Sequence, residues 1–411
     1  MTKVAFSALW LFVFTIPWQN AFVLPGFGTI ARVVGVLAVA FTLLAVAASG
    51  RVRPLSMIQV LMLSFLLWAV LTAAWTIDPV NTALRITTYV QLFVMVGVIW
   101  QLTSTPQLRQ SLIKAFVLGS AVPAGGAIWG RLTGRAVADA GRYAAANMAV
   151  NELGHIFALA LAMACYLAVT ERKAVGFWFY TALMGVFQVG VLLTASRGAA
   201  ICSAVAWMLL PWIFRHLRTY QKSAAVIVGL ALVVAVLAVV PAVTWQRLAQ
   251  TSSEIESGNF SRRGQIWKAG WQVFRQHPIV GVGAGSFEAS VASQLEATRT
   301  RAAHNAFLAV GVELGLIGFA LFFGMLLALL AGCLQLPGFD RRLGVILLAV
   351  WGMTSMVSNW EYHKVTWLVF GLIATQVGGR VRLGMAPRRA PAGLDESGLA
   401  YGASSWEERT A

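Results

Sequence analysis

One histidine in this sequence stands where it can move a proton beside fixed positive charge. His304-Asn305 closes the longest polar interruption of the chain, roughly 244–303, just where an apolar helix begins. Upstream, Ser261-Arg-Arg-Gly-Gln-Ile-Trp267 supplies two arginines, and His277-Pro-Ile-Val-Gly-Val-Gly-Ala-Gly-Ser-Phe287 supplies a flexible glycine turn. Nearby cations lower an imidazole's pKa and so keep it neutral, the form a general base requires. The other histidines have weaker claims. His155 lies in an apolar run, His216 in a basic connection, His277 at a helix end and His363 at the end of the last apolar run. Asn305 is placed to orient His304 or to bind a hydroxyl. Glu313, in Gly311-Val-Glu-Leu-Gly315, falls inside an apolar run, where an acid needs a partner or a proton.

Around that histidine the arginines outnumber the acids. Arg131, Arg135 and Arg142 precede one apolar run, Arg197 ends another, and Arg262, Arg263, Lys268 and Arg275 lie in the polar interruption. The accompanying acids are mainly Asp139, Glu254, Glu256, Glu288 and Glu296. Such a set fits an anion, and pyrophosphate matches arginine's fork of donors better than a carboxylate would match so many. Lipid phosphates at the headgroup level account equally well for Arg131, Arg135 and Arg275. Arg197 is different. In Leu192-Leu-Thr-Ala-Ser-Arg-Gly198 the connection is too short to carry its charge far into water. It therefore snorkels to the headgroups or points into a cavity that holds an anion.

The elements that must position these groups are membrane helices. Hydrophobic residues make up 59% of the 411, charged residues only 11%, and apolar runs of spanning length recur throughout. They are continuous rather than alternating, which selects helices over barrel strands. About twelve spans are expected, near 5–22, 29–48, 56–75, 81–102, 111–130, 152–170, 175–194, 199–214, 223–242, 304–332, 342–358 and 365–379. The apolar sequence runs on past Leu24 without a cleavage site, so no removable signal is expected. Arg51 with Arg53, Arg109 with Lys114, Arg172-Lys173, 215–222, Asp340-Arg-Arg342 and 380–389 fall on one side, which the positive-inside rule makes cytoplasmic. Both termini are then cytoplasmic and the 244–303 loop lies outside. These topological charges absorb much of the net +16, so nucleic acid is not an expected partner.

Within the loop, 262–277 reads as a short amphipathic helix lying on the membrane, with Ile266, Trp267, Gly270, Trp271 and Phe274 on one side. The glycines at 281, 283 and 285 lack the spacing and strand–helix context of a dinucleotide fingerprint. Cys165, Cys202 and Cys333 all fall in apolar runs and form neither a disulfide framework nor a zinc site. The sequence has no P-loop and no Asp-x-Asp pair for a metal-held nucleotide sugar; no cofactor and no metal are expected. Residues 386–411 read as a polar, disordered cytoplasmic tail.

His304-Asn-Ala-Phe-Leu with Gly311-Val-Glu-Leu-Gly-Leu-Ile-Gly318 resembles the signature region of the O-antigen ligase and polymerase superfamily of bacterial envelope glycosyltransferases. Arg263-x-x-x-Trp267, the His277 to Gly285 segment, Ala195-Ser-Arg-Gly198, and Arg142-Tyr through Asn151-Glu-Leu-Gly154 resemble the same family, over roughly residues 140 to 375. The resemblance implies an all-α, GT-C-like polytopic protein, with residues 1–385 forming one transmembrane glycosyltransferase domain in the bacterial inner membrane. It implies transfer of a glycan from undecaprenyl pyrophosphate to an acceptor hydroxyl at the periplasmic face. The acceptor is lipid A–core for a ligase, or a growing polysaccharide for a polymerase. His304 would be the base. Arg197 and Arg263 would hold the pyrophosphate, with Arg142 a further candidate and Arg262 an alternative to Arg263. Lys364, in Trp360-Glu-Tyr-His-Lys364, aligns loosely with a later basic position of the family. The ligase branch is favoured by His-Asn and the compact Ser-Arg-Gly. A transporter of lipid-linked glycan is the competing class, but no internal repeat supports it.

Overall fold

The computed structural model of the chain describes residues 1–135, 141–214, 219, 221–223, 226, 227, 229, 230, 240–247, 249, 263–295 and 302–384. Arg262, most of the expected span at 223–242, residues 248, 250–262 and 296–301 of the 244–303 loop, and the 386–411 tail lie outside the described residues.

Apolar runs become helices because a helix satisfies its own backbone where no water can. The series is α1 (Thr2–Thr15), α2 (Ile30–Ser49), α3 (Met57–Leu71), α4 (Pro79–Leu102), α5 (Pro106–Leu132), α6 (Val150–Thr170), α7 (Ala174–Leu193) and α8 (Arg197–Phe214). After the polar segment come α9 (Arg263–Gln276), α10 (Phe287–Ser290), α11 (Ala306–Leu334), α12 (Gly338–Val357) and α13 (Lys364–Gly384). Among the described residues, seven helices are long and apolar enough to cross a membrane: α2, α3 with its short extension, α4, α5, α6, α7 and α11. Two shorter apolar helices, Thr2–Trp18 and Lys364–Gly378, accompany them. The expectation of an all-helical chain meets one exception, a two-residue antiparallel hairpin, β1 (Val23–Leu24) with β2 (Gly28–Thr29), joining α1 to α2.

The most enclosed helix is α6, packed among α5, α7, α8 and α12. Its Gly154 and its alanines at 158, 160, 162 and 164 bring neighbouring backbones close, as small residues do where hydrophobic force between helices is absent. A second group sets α11 against α3, α12 and α13, with α4 on α13. Three of the basic connections meet at one end of the bundle, where Tyr166 donates to Asp340 (2.9 Å) and Lys114 pairs with Glu171 (3.8 Å). The candidate site residues gather at the other end.

Hydropathy hides one break. α11 reads as a single apolar run, but Gly315 leaves the helical conformation (φ 65°, ψ −168°). The backbone groups freed there are met from outside the helix. Val312 and Glu313 carbonyls accept from the Val282 and Gly283 amides (3.1 and 2.9 Å), and the Leu314 carbonyl accepts from the Trp68 indole (2.9 Å). The Leu316 and Ile317 amides donate to the Pro278 and Ile279 carbonyls (2.8 and 3.3 Å). Gly281 and Gly315 lie backbone to backbone, so a Cβ on Gly281 would sit 2.6 Å from the Gly315 nitrogen. The 277–286 segment is thus a tightly packed loop wedged into a broken helix, and this corrects the expectation of a flexible glycine turn. Its far side docks on the α3–α4 turn, where Thr82 donates to the Ala284 carbonyl (2.7 Å) and the Thr76 and Ser286 hydroxyls bond (2.9 Å).

The amphipathic helix forms as α9, yet its apolar face covers protein. Ala269, Gly270 and Val273 are buried against Phe287, Leu308, Ala309 and Val312. Trp271, expected on the same face, is 55% exposed and stacks on Phe274.

Candidate active site

The connections that enter α6, α8 and α11 carry the candidate residues, and each stores backbone strain just before its helix. The non-glycine residues with left-handed φ among those described are Ala146 and Asn147, before α6; Ala195, before α8; and His304, before α11. Such conformations cost about 1–2 kcal/mol each and persist only where surrounding contacts over-determine them.

At the entry to α8, Ser196 accepts from the Ala199 amide (3.4 Å), and Arg197 is the first residue of the helix. Gly198 follows, with Val357 and His155 pressed against it. A Cβ there would lie 2.9 Å from Val357 Cγ2 and 3.3 Å from His155 Cε1. Val357 is the last residue of α12, and its carbonyl accepts from Arg263 Nη1 (3.0 Å). The N-terminus of α8, the C-terminus of α12 and the first residue of α9 therefore meet at Val357. Arg197 is close enough to Arg263 that their charges repel. Burial first, then Arg197, lowers the Arg263 pKa.

His304 completes the group. Arg263 and Trp267 are one helical turn apart on α9 and face the same way. Trp267 Nε1 donates to the buried Ala303 carbonyl (2.9 Å), immediately before His304. On its other side Asn305 is the N-cap of α11, accepting from the Leu308 amide (3.0 Å), while its own amide donates to Asn359 Oδ1 (3.2 Å). His304, at φ 48°, is pinned between these anchors. Burial, then the charge of Arg263, holds its pKa below the usual 6.5, so the ring is neutral at pH 7. Arg197, Arg263 and His304 are each half-buried. A half-buried base beside the Arg263 guanidinium, which Arg197 at the start of α8 adjoins in turn, is equipped to accept a proton next to a site that can bind an anion.

The remaining candidates sit around this centre. Arg142 donates from Nε to the Thr194 carbonyl (2.9 Å) and from Nη2 to Asn151 Oδ1 (2.7 Å), tying the α7–α8 turn to the start of α6. Lys364 bonds to Gln19 at the end of the α1 segment. Glu313 is not part of the His304 group. It is 2% exposed beneath the 277–286 loop, accepting from the Gly285 amide (2.7 Å) and from Arg85 (3.2 Å).

Sequence reasoning missed Arg85, Asn359 and Glu361. Arg85 had a usable signal, being the one charge in the expected 81–102 span. The connection between α12 and α13 also went unread as a hub. Val357, Asn359, Glu361 and His363 contact, in turn, Arg263, Asn305, Arg85 (3.4 Å) and Glu152 (2.7 Å). No group of three or more metal-ligating His, Cys, Asp or Glu side chains occurs among the described residues.

Residues 180–323 match the family described as O-antigen ligase, about a third of the chain. The match takes in Arg197, Arg263, His304, Asn305 and Glu313, and leaves Arg142 and Lys364 outside. No curated protein matches the chain significantly.

Proposed function

With residues 180–323 assigned to the O-antigen ligase and polymerase superfamily, we propose that this multi-pass membrane protein is a metal-independent glycosyltransferase. Its donor is a glycan on undecaprenyl pyrophosphate, its acceptor a hydroxyl of lipid A–core, and its active site faces the periplasm of the inner membrane. In this arrangement residues 1–385 form one domain of about twelve spans, with both termini cytoplasmic. The observation that carries the proposal is Arg263, bonded to the Val357 carbonyl and close enough to act on both Arg197 and His304.

In the proposed reaction His304 takes the proton of the acceptor hydroxyl as its oxygen attacks the anomeric carbon of the donor sugar. The bond from that carbon to the diphosphate oxygen breaks, and the diphosphate leaves with the charge. Arg197, Arg263 and the amides at the start of α8 meet that charge as it develops, the kind of fixed stabilisation worth most in a dry site. A base in this role contributes roughly 100- to 10,000-fold. Arg142 holds the α7–α8 turn that carries Arg197, a supporting part in addition to any contact with the donor. Asn305, as the cap of α11, fixes the chain beside the base.

The test is purified protein reconstituted with undecaprenyl-pyrophosphate-linked glycan, with and without lipid A–core, beside His304→Ala. Glycan on lipid A–core, dependent on His304, supports the ligase. Longer glycan without that acceptor replaces it with a polymerase using the same base. Full activity in the variant overturns the base assignment, and glycan movement without transfer points to a transporter.

A further inference from the structure

Beneath the 277–286 loop lies an ionic group that the proposed transfer leaves unused. Arg85 Nη1, from α4, reaches Glu313 Oε2 of α11 (3.2 Å) and Glu361 Oε1 of the α12–α13 connection (3.4 Å). Its guanidinium lies over the Tyr362 ring, 3.8 Å from the centroid. Both carboxylates are almost fully buried, with side chains 3% and 1% exposed. Two buried acids thus share one cation. The charges do not balance unless one acid keeps a proton, since an uncompensated buried charge is prohibitively costly.

The geometry says which acid. Glu313 Oε2 accepts from both Arg85 and the Gly285 amide (2.7 Å), so its oxygen is already engaged by donors. Glu361 has Arg85 on one oxygen, while Oε2 is buried with no partner among the described residues. Burial raises its pKa to about 8, against the opposing pull of Arg85 and with further upward pressure from Glu313. The other titratable groups facing the pair are Tyr89 on α4, Tyr362 beside Glu361, and the more distant Glu288 on α10.

This group grips the loop directly. Gly285 lies against Arg85 and Asn81, so a Cβ there would be 3.0 Å from Arg85 Cβ and 2.7 Å from the Asn81 carbonyl. The Glu313 main-chain carbonyl accepts from Gly283 while its side chain accepts from Gly285. Past the loop, Phe287 packs on Gly270 of α9, the helix that presents Arg263 and Trp267.

We infer that Arg85, Glu313 and Glu361 form a positioning unit, holding one proton on Glu361, that locks the 277–286 loop and through it the Arg263 helix. The unit touches no substrate, and its effect on catalysis rests on the transfer proposed above. When Glu361 ionises, the pair carries two negative charges against one positive, and the grip on Gly285 weakens.

The test compares wild type, Glu361→Gln and Glu313→Ala in nanodiscs. Amide exchange of peptides covering 277–287 is followed from pH 7 to pH 9, corrected for intrinsic rates, and the transfer rate is measured over the same range. Wild type should lose protection and activity as pH rises through about 8. Glu361→Gln imitates the protonated acid and should match wild type at pH 7 while abolishing the alkaline loss. Glu313→Ala should expose the loop at least about ten-fold at every pH, the order expected for losing a charged hydrogen bond. An alkaline loss unchanged in Glu361→Gln, or a loop opened by that substitution at pH 7, overturns the inference. If no variant transfers glycan but the exchange pattern holds, the positioning unit stands and the transfer proposal falls.

Discussion

Trp267→Phe isolates the indole N–H that anchors the chain at His304, the proposed base. Phenylalanine keeps most of the ring's packing but cannot donate to the Ala303 carbonyl, which loses its 2.9 Å partner in a residue that is 0% exposed. A buried carbonyl left unsatisfied costs about 1–3 kcal/mol. The next residue, His304, already carries about 1–2 kcal/mol of left-handed strain at φ 48°. The loss therefore falls on a backbone with a more relaxed conformer close at hand. At about 1.4 kcal/mol per factor of ten, the competent conformer falls roughly 5- to 150-fold. The assay is steady-state transfer from lipid-linked glycan, with donor affinity measured separately. The turnover rate should fall by that factor, donor affinity should change little because Arg197 and Arg263 remain, and thermal stability should hold because the α5–α8 bundle is untouched. Turnover within two-fold of wild type would refute the reasoning, since His304 would then keep its geometry without this bond.

Arg263→Lys keeps the charge but loses the planar fork that reaches the Val357 carbonyl, so transfer should fall at least about ten-fold, and Arg263→Ala about a hundred-fold or more; equal rates for Lys and Arg would show that only charge matters. The acid limb of the turnover–pH profile should have its midpoint below 6.5, because burial and Arg263 both depress the His304 pKa. The stability linkage has the matching sign: the folded chain prefers the neutral ring, so stability is lost as pH falls below the unfolded value of about 6.5, measurable by thermal melts across that range. Gly283→Ala forces a Cβ to 2.8 Å from Thr76 Cα at φ 108°, and expression of folded protein should collapse. Gly134→Ala, at φ 71° with nothing within 4 Å, should cost only about 1 kcal/mol, and a Gly283 variant no worse than this would refute the packed loop. Ala195→Gly should be neutral or slightly stabilising in melts, against the usual sign for glycine, because it relieves the left-handed strain at φ 46°.

The helices were legible because a spanning helix must announce itself in composition, and the segment carrying Arg263 and Trp267 was legible because its aromatic and basic residues recur with helical period. What lay beyond reach was partnership across distance. Arg85 meets acids 228 and 276 positions away, and Lys364 meets Gln19 across 345. No local pattern encodes such pairs. Trp271 was misplaced because an amphipathic stripe does not say whether lipid or protein covers it. The break at Gly315 was invisible for a related reason: a helix whose freed backbone groups are satisfied by a neighbouring loop keeps an uninterrupted apolar run.

The two ends of this bundle differ in how they spend backbone conformation. The basic end is joined by ordinary caps and by the partly exposed ion pair of Lys114 with Glu171, a kind of contact that contributes little and tolerates change. The other end concentrates every left-handed non-glycine residue among those described, and it flanks His304 with directional bonds from distant parts of the chain. Strain held by long-range anchors is costly to evolve and is retained where position matters to within a fraction of an ångström. If these residues served only to hold lipid headgroups, relaxed turns with flexible side chains would suffice, since a headgroup adapts to its arginine. A reacting hydroxyl and a departing diphosphate, as in the transfer proposed above, do not adapt, and that chemistry would call for the pinned backbone found at His304.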